Sequence, residues 1–255
     1  MNGTDTSAET DFGFRRIPEA EKGPRVRALF DSVAFRYDLM NDLMSGGIHR
    51  LWKAEMVAAL KPRPGQRLID VAGGTGDVAL RALPALAPEQ SGGGAVVCDV
   101  SERMLAQGRA RAIDRGFLAG LAWLAADAEH LPFADRSFDL YTIAFGLRNV
   151  TRLAAALAEA RRVLKPGGRF LALEFAPAIS PPLQPLYDLY SFGVVPLMGR
   201  IVTGEGEAYR YLVESIRRFP RQGALAEMIA AAGLERVKFR NLTGGVAALH
   251  SAWRL

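Results

Sequence analysis

Between residues 67 and 175, short apolar runs alternate with amphipathic stretches, and this alternation restricts the fold more than any other feature. Candidate strands at 67–71, 95–99, 121–126, 138–145 and 169–175 are separated by helical runs at 77–86, 102–115 and 152–164. Apolar runs without polar alternation suit strands buried on both faces, which calls for a parallel sheet covered by helices on each side. Two later runs, 234–241 and 246–253, are joined through Thr243-Gly244-Gly245. They read as an antiparallel pair at the sheet edge. The expected class is therefore α/β, a doubly wound, mostly parallel seven-stranded sheet with an antiparallel edge hairpin.

The flanking segments do not follow the alternation. Residues 1–24 are polar and without period, and read as a flexible tail. From Pro24 the spacing turns helical, with Val26, Leu29, Phe30, Val33 and Tyr37 on one stripe. Met40, Leu43 and Met44 extend that stripe until Ser45-Gly46-Gly47 stops it. A second helix carries Ile48, Leu51, Trp52, Val57 and Leu60 and ends in Lys61-Pro62-Arg63-Pro64-Gly65. Residues 181–232 form a helical insert of three further stripes. The first holds Leu183, Leu186, Tyr187, Tyr190 and Val194; the second Tyr209, Leu212, Val213, Ile216 and Phe219; the third Leu225, Met228 and Ile229. Residues 25–255 are expected to form a single domain.

Composition excludes several classes. A chain of 255 residues with 49% hydrophobic and 23% charged residues is neither disordered nor fibrous. The single cysteine, Cys98, excludes a disulfide framework and a Cys-rich zinc site. His49, His130 and His250 show no ligand spacing, so no metal is expected. No run of 18 apolar residues exists, and the polar start MNGTDTSAETDFGF has no apolar signal core. A cytoplasmic location is the expectation. The net charge of +5 comes from dispersed arginines without interleaved aromatics, which argues against a nucleic-acid groove.

The chemistry is carried by the carboxyl ends of the strands, where doubly wound sheets bind ligands. Leu68-Ile69-Asp70-Val71 runs into Ala72-Gly73-Gly74-Thr75-Gly76, and a helix starts at Asp77. Glycines let the backbone approach a ligand, and a helix N-terminus offers free N–H groups. Gly74, Gly76 and Ala79 give only the weakest form of a dinucleotide fingerprint. The acidic residue within the strand, Asp70, suits S-adenosylmethionine instead. Asp99 ends the next strand, where a carboxylate can accept both ribose hydroxyls. Asp127 and Ala128 end the third, where a carboxylate or a backbone donor would read an adenine edge. Three acidic strand ends in register with the glycine turn make an S-adenosylmethionine site the leading reading.

Closing with Leu164-Lys165-Pro166-Gly167-Gly168 before a strand, this order of motifs resembles that of the class I SAM-dependent methyltransferases. More specifically, the chain is similar to the ubiquinone/menaquinone biosynthesis C-methyltransferase family. The resemblance rests on Tyr37-Asp38-Leu39-Met40-Asn41-Asp42-Leu43-Met44-Ser45, on Ile48-His49-Arg50-Leu51-Trp52-Lys53, and on Phe145-Gly146-Leu147-Arg148-Asn149-Val150-Thr151. Tyr209-Arg210-Tyr211-Leu212 with Glu214-Ser215-Ile216 and the ending 241–250 agree. It implies methyl transfer to a ring carbon of a polyprenylated hydroquinone: a 2-methoxy-6-polyprenyl-1,4-benzoquinol, a demethylmenaquinol, or both. Carried over residue by residue, cofactor contacts fall on Thr75, Asp99, Asp127 and Ala128, with Gly74 and Gly76 shaping the turn. Ala144 departs from the pattern, standing where relatives often carry Ser beside the cofactor.

The reaction can be framed from its chemistry. Deprotonating a phenol pushes charge onto the ortho carbon, so the site must take a proton and stabilise a phenolate. Arg148 and Asn149, just past the fourth strand, lie where the ring is expected, and the resemblance adds Tyr37. Arginine keeps its proton, so Arg148 is read as phenolate stabiliser or water-orienting group. Asn149 would hydrogen-bond the quinol oxygen, and Tyr37 would orient ring or water. The stripe from Leu183 to Met198 is a candidate wall for the prenyl tail. A lipid substrate without a spanning segment implies peripheral membrane contact. A quinone-biosynthesis complex and a homodimer stay open as partners.

Overall fold

The computed structural model describes residues 8–34, 42, 45–177 and 206–255. Within these, strands β1 (Glu9–Phe12) and β2 (Arg15–Pro18) precede helices α1 (Glu19–Val33) and α2 (His49–Leu60). Then come β3 (Arg67–Val71), α3 (Asp77–Leu86), β4 (Gly94–Asp99), α4 (Glu102–Asp114), β5 (Leu121–Ala125) and β6 (Phe138–Ala144). The chain continues through α5 (Leu153–Val163), β7 (Leu164–Phe175), α6 (Gly206–Arg218), α7 (Gln222–Ala231), β8 (Glu235–Leu242) and β9 (Ala247–Arg254).

Seven strands form one sheet in the order β5-β4-β3-β6-β7-β9-β8. β3 to β7 pair in parallel, and β9 runs antiparallel between β7 and β8. This is the doubly wound sheet with an antiparallel edge that the sequence leads one to expect. The order reverses at β3, which has β4 on one side and β6 on the other. That reversal is the switch point where such sheets bind ligands.

Strand parity explains why both faces are covered. Leu68, Val97, Leu171 and Leu173 enter one core with Met56, Ala79, Leu83 and Leu86 of α2 and α3. Ile69, Val71, Tyr141, Phe170 and Ala172 enter the other with Leu157 and Ala160 of α5. Each fully buried Val, Leu, Ile, Met or Phe side chain among them contributes about 1.5–3 kcal/mol of transfer free energy.

Three expectations are corrected. Residues 9–24 are not a tail. Glu9↔Pro18 and Phe12↔Arg15 close a hairpin through Gly13, whose φ is +63°. Phe12 and Ile17 pack with Val26 and Tyr211, and the Phe12 and Tyr211 rings stack at 4.4 Å. Four-residue strands with alternate charged positions leave little periodicity to read. Second, α1 starts at Glu19 rather than at Pro24, which lies inside it. Extended Pro18 precedes it, and Glu19 and Glu21 in its first turn favour the positive end of the helix dipole. Third, β7 begins at Leu164 rather than at 169. Its pairing with β6 jumps from Phe138↔Leu164 to Leu140↔Arg169, so the Lys-Pro-Gly-Gly segment is a bulge within the strand. The stripes expected at 37–44 and 183–194 lie outside the described residues.

Gly108 of α4 shows how tightly the layer over the glycine turn is packed. A Cβ there would lie 2.5 Å from the Trp123 ring and 2.8 Å from the Thr75 backbone carbon. Helix propensity alone would favour alanine by about 1 kcal/mol. Overpacking costs typically about 1–3 kcal/mol, and here it involves backbone. Gly108→Ala is therefore expected to lower stability by about 1–2 kcal/mol in urea denaturation, against the propensity rule.

Candidate active site

The glycine turn is held from within by two aspartates. Asp70, 1% exposed, accepts from Thr142 Oγ1 at 2.8 Å on one oxygen and from Ala79 N at 3.2 Å on the other. The carboxylate thus ties β3 to β6 and to the first turn of α3. Burial pushes its pKa up to about 7, against the pull of these hydrogen bonds. Sequence reasoning gave Asp70 to the cofactor. Here both its oxygens are engaged internally and it does not line the cleft described below, so it acts through the turn it shapes.

Asp99 makes the matching connection from β4. Gly74 N donates to its Oδ2 and Ser101 N to its Oδ1, both at 2.9 Å. Burial again dominates and raises its pKa to about 6. A carboxylate offers about four lone-pair sites, so these backbone donors leave acceptor capacity for a ligand. Ser101, absent from the sequence reading, caps α4 by accepting from Met104 N, and its hydroxyl donates to Asp31 of α1 at 2.5 Å. Ser101 immediately before an acidic first-turn residue, Glu102, was the available signal.

The turn itself requires glycine. Gly74 and Gly76 have φ of +55° and +73°, and a Cβ on Gly76 would lie 2.6 Å from Trp123. Gly73 N donates to Cys98 O at 3.0 Å, which sets the turn across the end of β4. Thr75 is buried, and its hydroxyl accepts from Arg111 Nη1 at 3.3 Å.

An apolar cleft opens beside this turn. Ala72, Asp99, Ala126, Asp127, Ala128, Gly146 and Asn149 line it, and Gly23 and Val26 of α1 face it. It thus brings together Asp99, Asp127, Ala128 and Asn149 of the expected site. Thr75, Gly74 and Gly76 form the adjoining turn and are not among its lining residues. Its volume is about 80 Å³, below the roughly 300–1,000 Å³ of ordinary ligand sites. Asp127 Oδ1 accepts from Glu129 N at 2.9 Å, which shapes the loop, while its side chain stays 56% exposed.

Past β6 the chain turns through a short 3-10 segment, Leu147–Asn149. Arg148 is buried, and its Nη1 meets Glu174 Oε2 at 2.9 Å. Its Nη1 also donates to Phe145 O, and its Nε has no partner among the described residues. Burial raises the Glu174 pKa in spite of the guanidinium beside it. Arg148 lines a second cavity, of about 380 Å³, between the hairpin, α1 and α6. Asn149 faces the first cleft, and its Oδ1 accepts from Tyr211 OH at 3.2 Å. The structure therefore separates the Arg148–Asn149 pair between two cavities that share the wall of Val150 and Thr151. Lys22 braces that wall by donating to Val150 O at 2.9 Å. Tyr211, Glu174 and Lys22 were missed as site residues. The Tyr-Arg-Tyr-Leu stretch held the signal for the first; nothing in the sequence marked the other two. Tyr37 lies outside the described residues. Ala144 packs against the core and is not among the residues lining the cleft.

The model of the ubiE/COQ5 methyltransferase family matches residues 18–254. The chain belongs to this family. A protein of Dinoroseobacter shibae named ubiquinone/menaquinone biosynthesis C-methyltransferase UbiE is 57% identical to it over 98% of each chain. The mouse mitochondrial 2-methoxy-6-polyprenyl-1,4-benzoquinol methylase is 48% identical, over 98% of this chain and 85% of its own. Among solved structures, a SAM-dependent methyltransferase from Aquifex aeolicus superposes with a TM-score of 0.61 at 15% identity, covering 86% of this chain and 98% of its own. The YcgJ protein of Bacillus subtilis gives 0.57 at 19% identity, covering 79% and 97%. These likenesses establish the class I methyltransferase fold, and the family makes the chain a methyltransferase.

Removing one partner of a buried ion pair leaves an uncompensated charge, at about 3–5 kcal/mol. Glu174→Ala should destabilise the fold by that amount in chemical denaturation. A loss under about 1 kcal/mol would mean that the pair does not organise the site.

Proposed function

We propose that this methyltransferase uses S-adenosylmethionine to methylate a ring carbon of a polyprenylated hydroquinone, a 2-methoxy-6-polyprenyl-1,4-benzoquinol or a demethylmenaquinol. The observation that carries the reading is the single cleft lined by Asp99, Asp127 and Ala128 on one side and Asn149 on the other. The names of the relatives supply the substrate class.

The residues fit the cofactor. Asp99 keeps acceptor capacity for ribose hydroxyls. Ala72, Ala126 and Ala128 give an apolar slot for a flat base, with Asp127 at its exposed end. Thr75 and the N–H groups of the glycine turn would hold the amino-acid end. When bound, S-adenosylmethionine supplies an electrophilic methyl group.

The chain's own task is to place and activate the ring. The Arg148 guanidinium stabilises a phenolate, and its Nε–H, without a partner among the described residues, is the spare donor. Glu174 holds that guanidinium in place at the end of β7. Asn149, oriented by Tyr211, hydrogen-bonds the quinol oxygen. Tyr37 orients ring or water. Because Lys22 and its neighbours on α1 stand between the two cavities, α1 must shift to let ring and cofactor meet. That movement would also exclude water on closing.

Two outcomes test this reading. An anaerobic incubation with methyl-labelled S-adenosylmethionine and each short-chain quinol should put the label on ring carbon, located by mass spectrometry. A label on oxygen, or on neither ring, would refute it. Separately, hydroxyl donors need the Asp99 carboxylate ionised, and its pKa stands at about 6. Affinity for S-adenosylhomocysteine should therefore rise with pH up to that value and flatten above it. Below about pH 6 it should fall by up to about tenfold per unit, and Asp99→Asn should remove the dependence.

A further inference from the structure

The amide of Asn149 is held at both ends. Its Nδ2 lies 3.5 Å from Phe145 O, and its Oδ1 lies 3.2 Å from Tyr211 OH. A backbone carbonyl can only accept, so the nitrogen and not the oxygen must face it. Phe145 holds φ at +59°, a conformation that a bulky residue rarely adopts. The same carbonyl also takes Arg148 Nη1, so one backbone oxygen positions both members of the Arg148–Asn149 pair. With Nδ2 turned to Phe145, Oδ1 is left to accept, and Tyr211 must be the donor. Tyr211 is 4% exposed, and burial raises its pKa, while Arg148 and Glu174 act on it in opposite senses. Its hydroxyl therefore stays protonated across the ordinary pH range.

Tyr211 owes its place to the N-terminal hairpin. Phe12 stacks on its ring at 4.4 Å. One turn along α6, Glu214 Oε2 accepts from Phe14 N at 3.0 Å. A turn further, the Arg218 guanidinium lies over the Phe14 ring, 5.7 Å from its centre. Positions 211, 214 and 218 recur at helical spacing, so the hairpin grips the one face of α6 that carries Tyr211. Tyr211 lines the cavity that holds Arg148, whereas Asn149 lines the cleft that holds Asp99. The bond between them is therefore made across the wall that divides the two.

We propose that Tyr211 is a positioning residue for ring methylation: by occupying the Asn149 oxygen, it commits that amide to donate through Nδ2 to the quinol oxygen that loses its proton. This rests on the proposed function and adds to it the direction of the hydrogen bond and the element that sets it. A donor binds an oxygen more strongly as that oxygen becomes anionic, so its contribution grows where the charge develops. An amide presenting its oxygen would instead hold the neutral phenol by its O–H and oppose ionisation. The hairpin and α6 thereby decide which form of the ring oxygen the site favours.

The test is the pH dependence of kcat with a short-chain quinol under anaerobic conditions. It compares the wild-type chain, Tyr211→Phe, Asn149→Ala and the double variant. Tyr211→Phe keeps the ring that stacks on Phe12 and removes only the hydroxyl. It should lower kcat by about tenfold near neutrality and move the rising limb of the profile up by about one pH unit, the effect of losing one hydrogen bond to an ionised oxygen. Affinity for S-adenosylhomocysteine should stay unchanged, since Tyr211 does not line the cofactor cleft. In the Asn149→Ala background, Tyr211→Phe should have no further effect, because the interaction is already gone. A tyrosine that serves packing alone would lower the melting temperature, leave the limb in place and add its full effect to Asn149→Ala. That result would overturn the proposal. A wild-type chain that puts no methyl on ring carbon would fail the functional reading, and this proposal with it. A wild-type chain that does so, while Tyr211→Phe keeps both its rate and its limb, would fail the proposal alone.

Discussion

The carboxyl edge of the sheet depends on Asp99, whose two oxygens each hold a backbone N–H. Gly74 N comes from the turn after β3 and Ser101 N from the turn after β4. One side chain thereby fixes two adjacent loops in mutual register at the switch point. Burying a carboxylate is costly, and the raised pKa of Asp99 records that cost. Asp70 repeats the arrangement one strand away. The turn is thus braced from within by two carboxylates, and Asp99 also lines the cleft.

A second internal charge organises the other half of the site. Arg148 and Glu174 sit at the ends of neighbouring strands, nearly sealed from water. A buried pair of this kind is weak as a source of stability. It does hold a cation beside the Leu147–Asn149 turn, where the proposed reaction calls for one. The hairpin and α1 close this region from outside, through the stacked Phe12 and Tyr211 rings and the Lys22 bond to Val150.

Much of the sheet was legible because its physics is local. Buried parallel strands need continuous apolar runs, and glycine at a positive φ is required wherever the backbone must turn tightly. The boundaries of β3 and α3 follow from residues 67–86 alone. The bulge in β7 was not legible, because pairing with β6 extends that strand across Gly167 and Gly168. The 9–18 hairpin was hidden for a similar reason: its stability comes from Tyr211, two hundred residues away. At the site, the acidic strand ends announced Asp99 and Asp127. Sequence gave no means to separate an aspartate that faces a ligand from one that braces a turn. Asp70 is the second kind. Glu174 and Lys22 become meaningful only once the fold sets them against Arg148 and Val150.

The central claim is that the cleft at the switch point takes the cofactor, with the ring meeting it at the Val150–Thr151 wall that this cleft shares with the Arg148 cavity. A crystal structure of the chain with S-adenosylhomocysteine tests it most directly. The account predicts ribose hydroxyls on the Asp99 carboxylate, the base between Ala126 and Ala128, and the sulfur facing the side of the cleft that holds Asn149. Density for the ligand in the hairpin cavity, with Asp99 untouched, would contradict it.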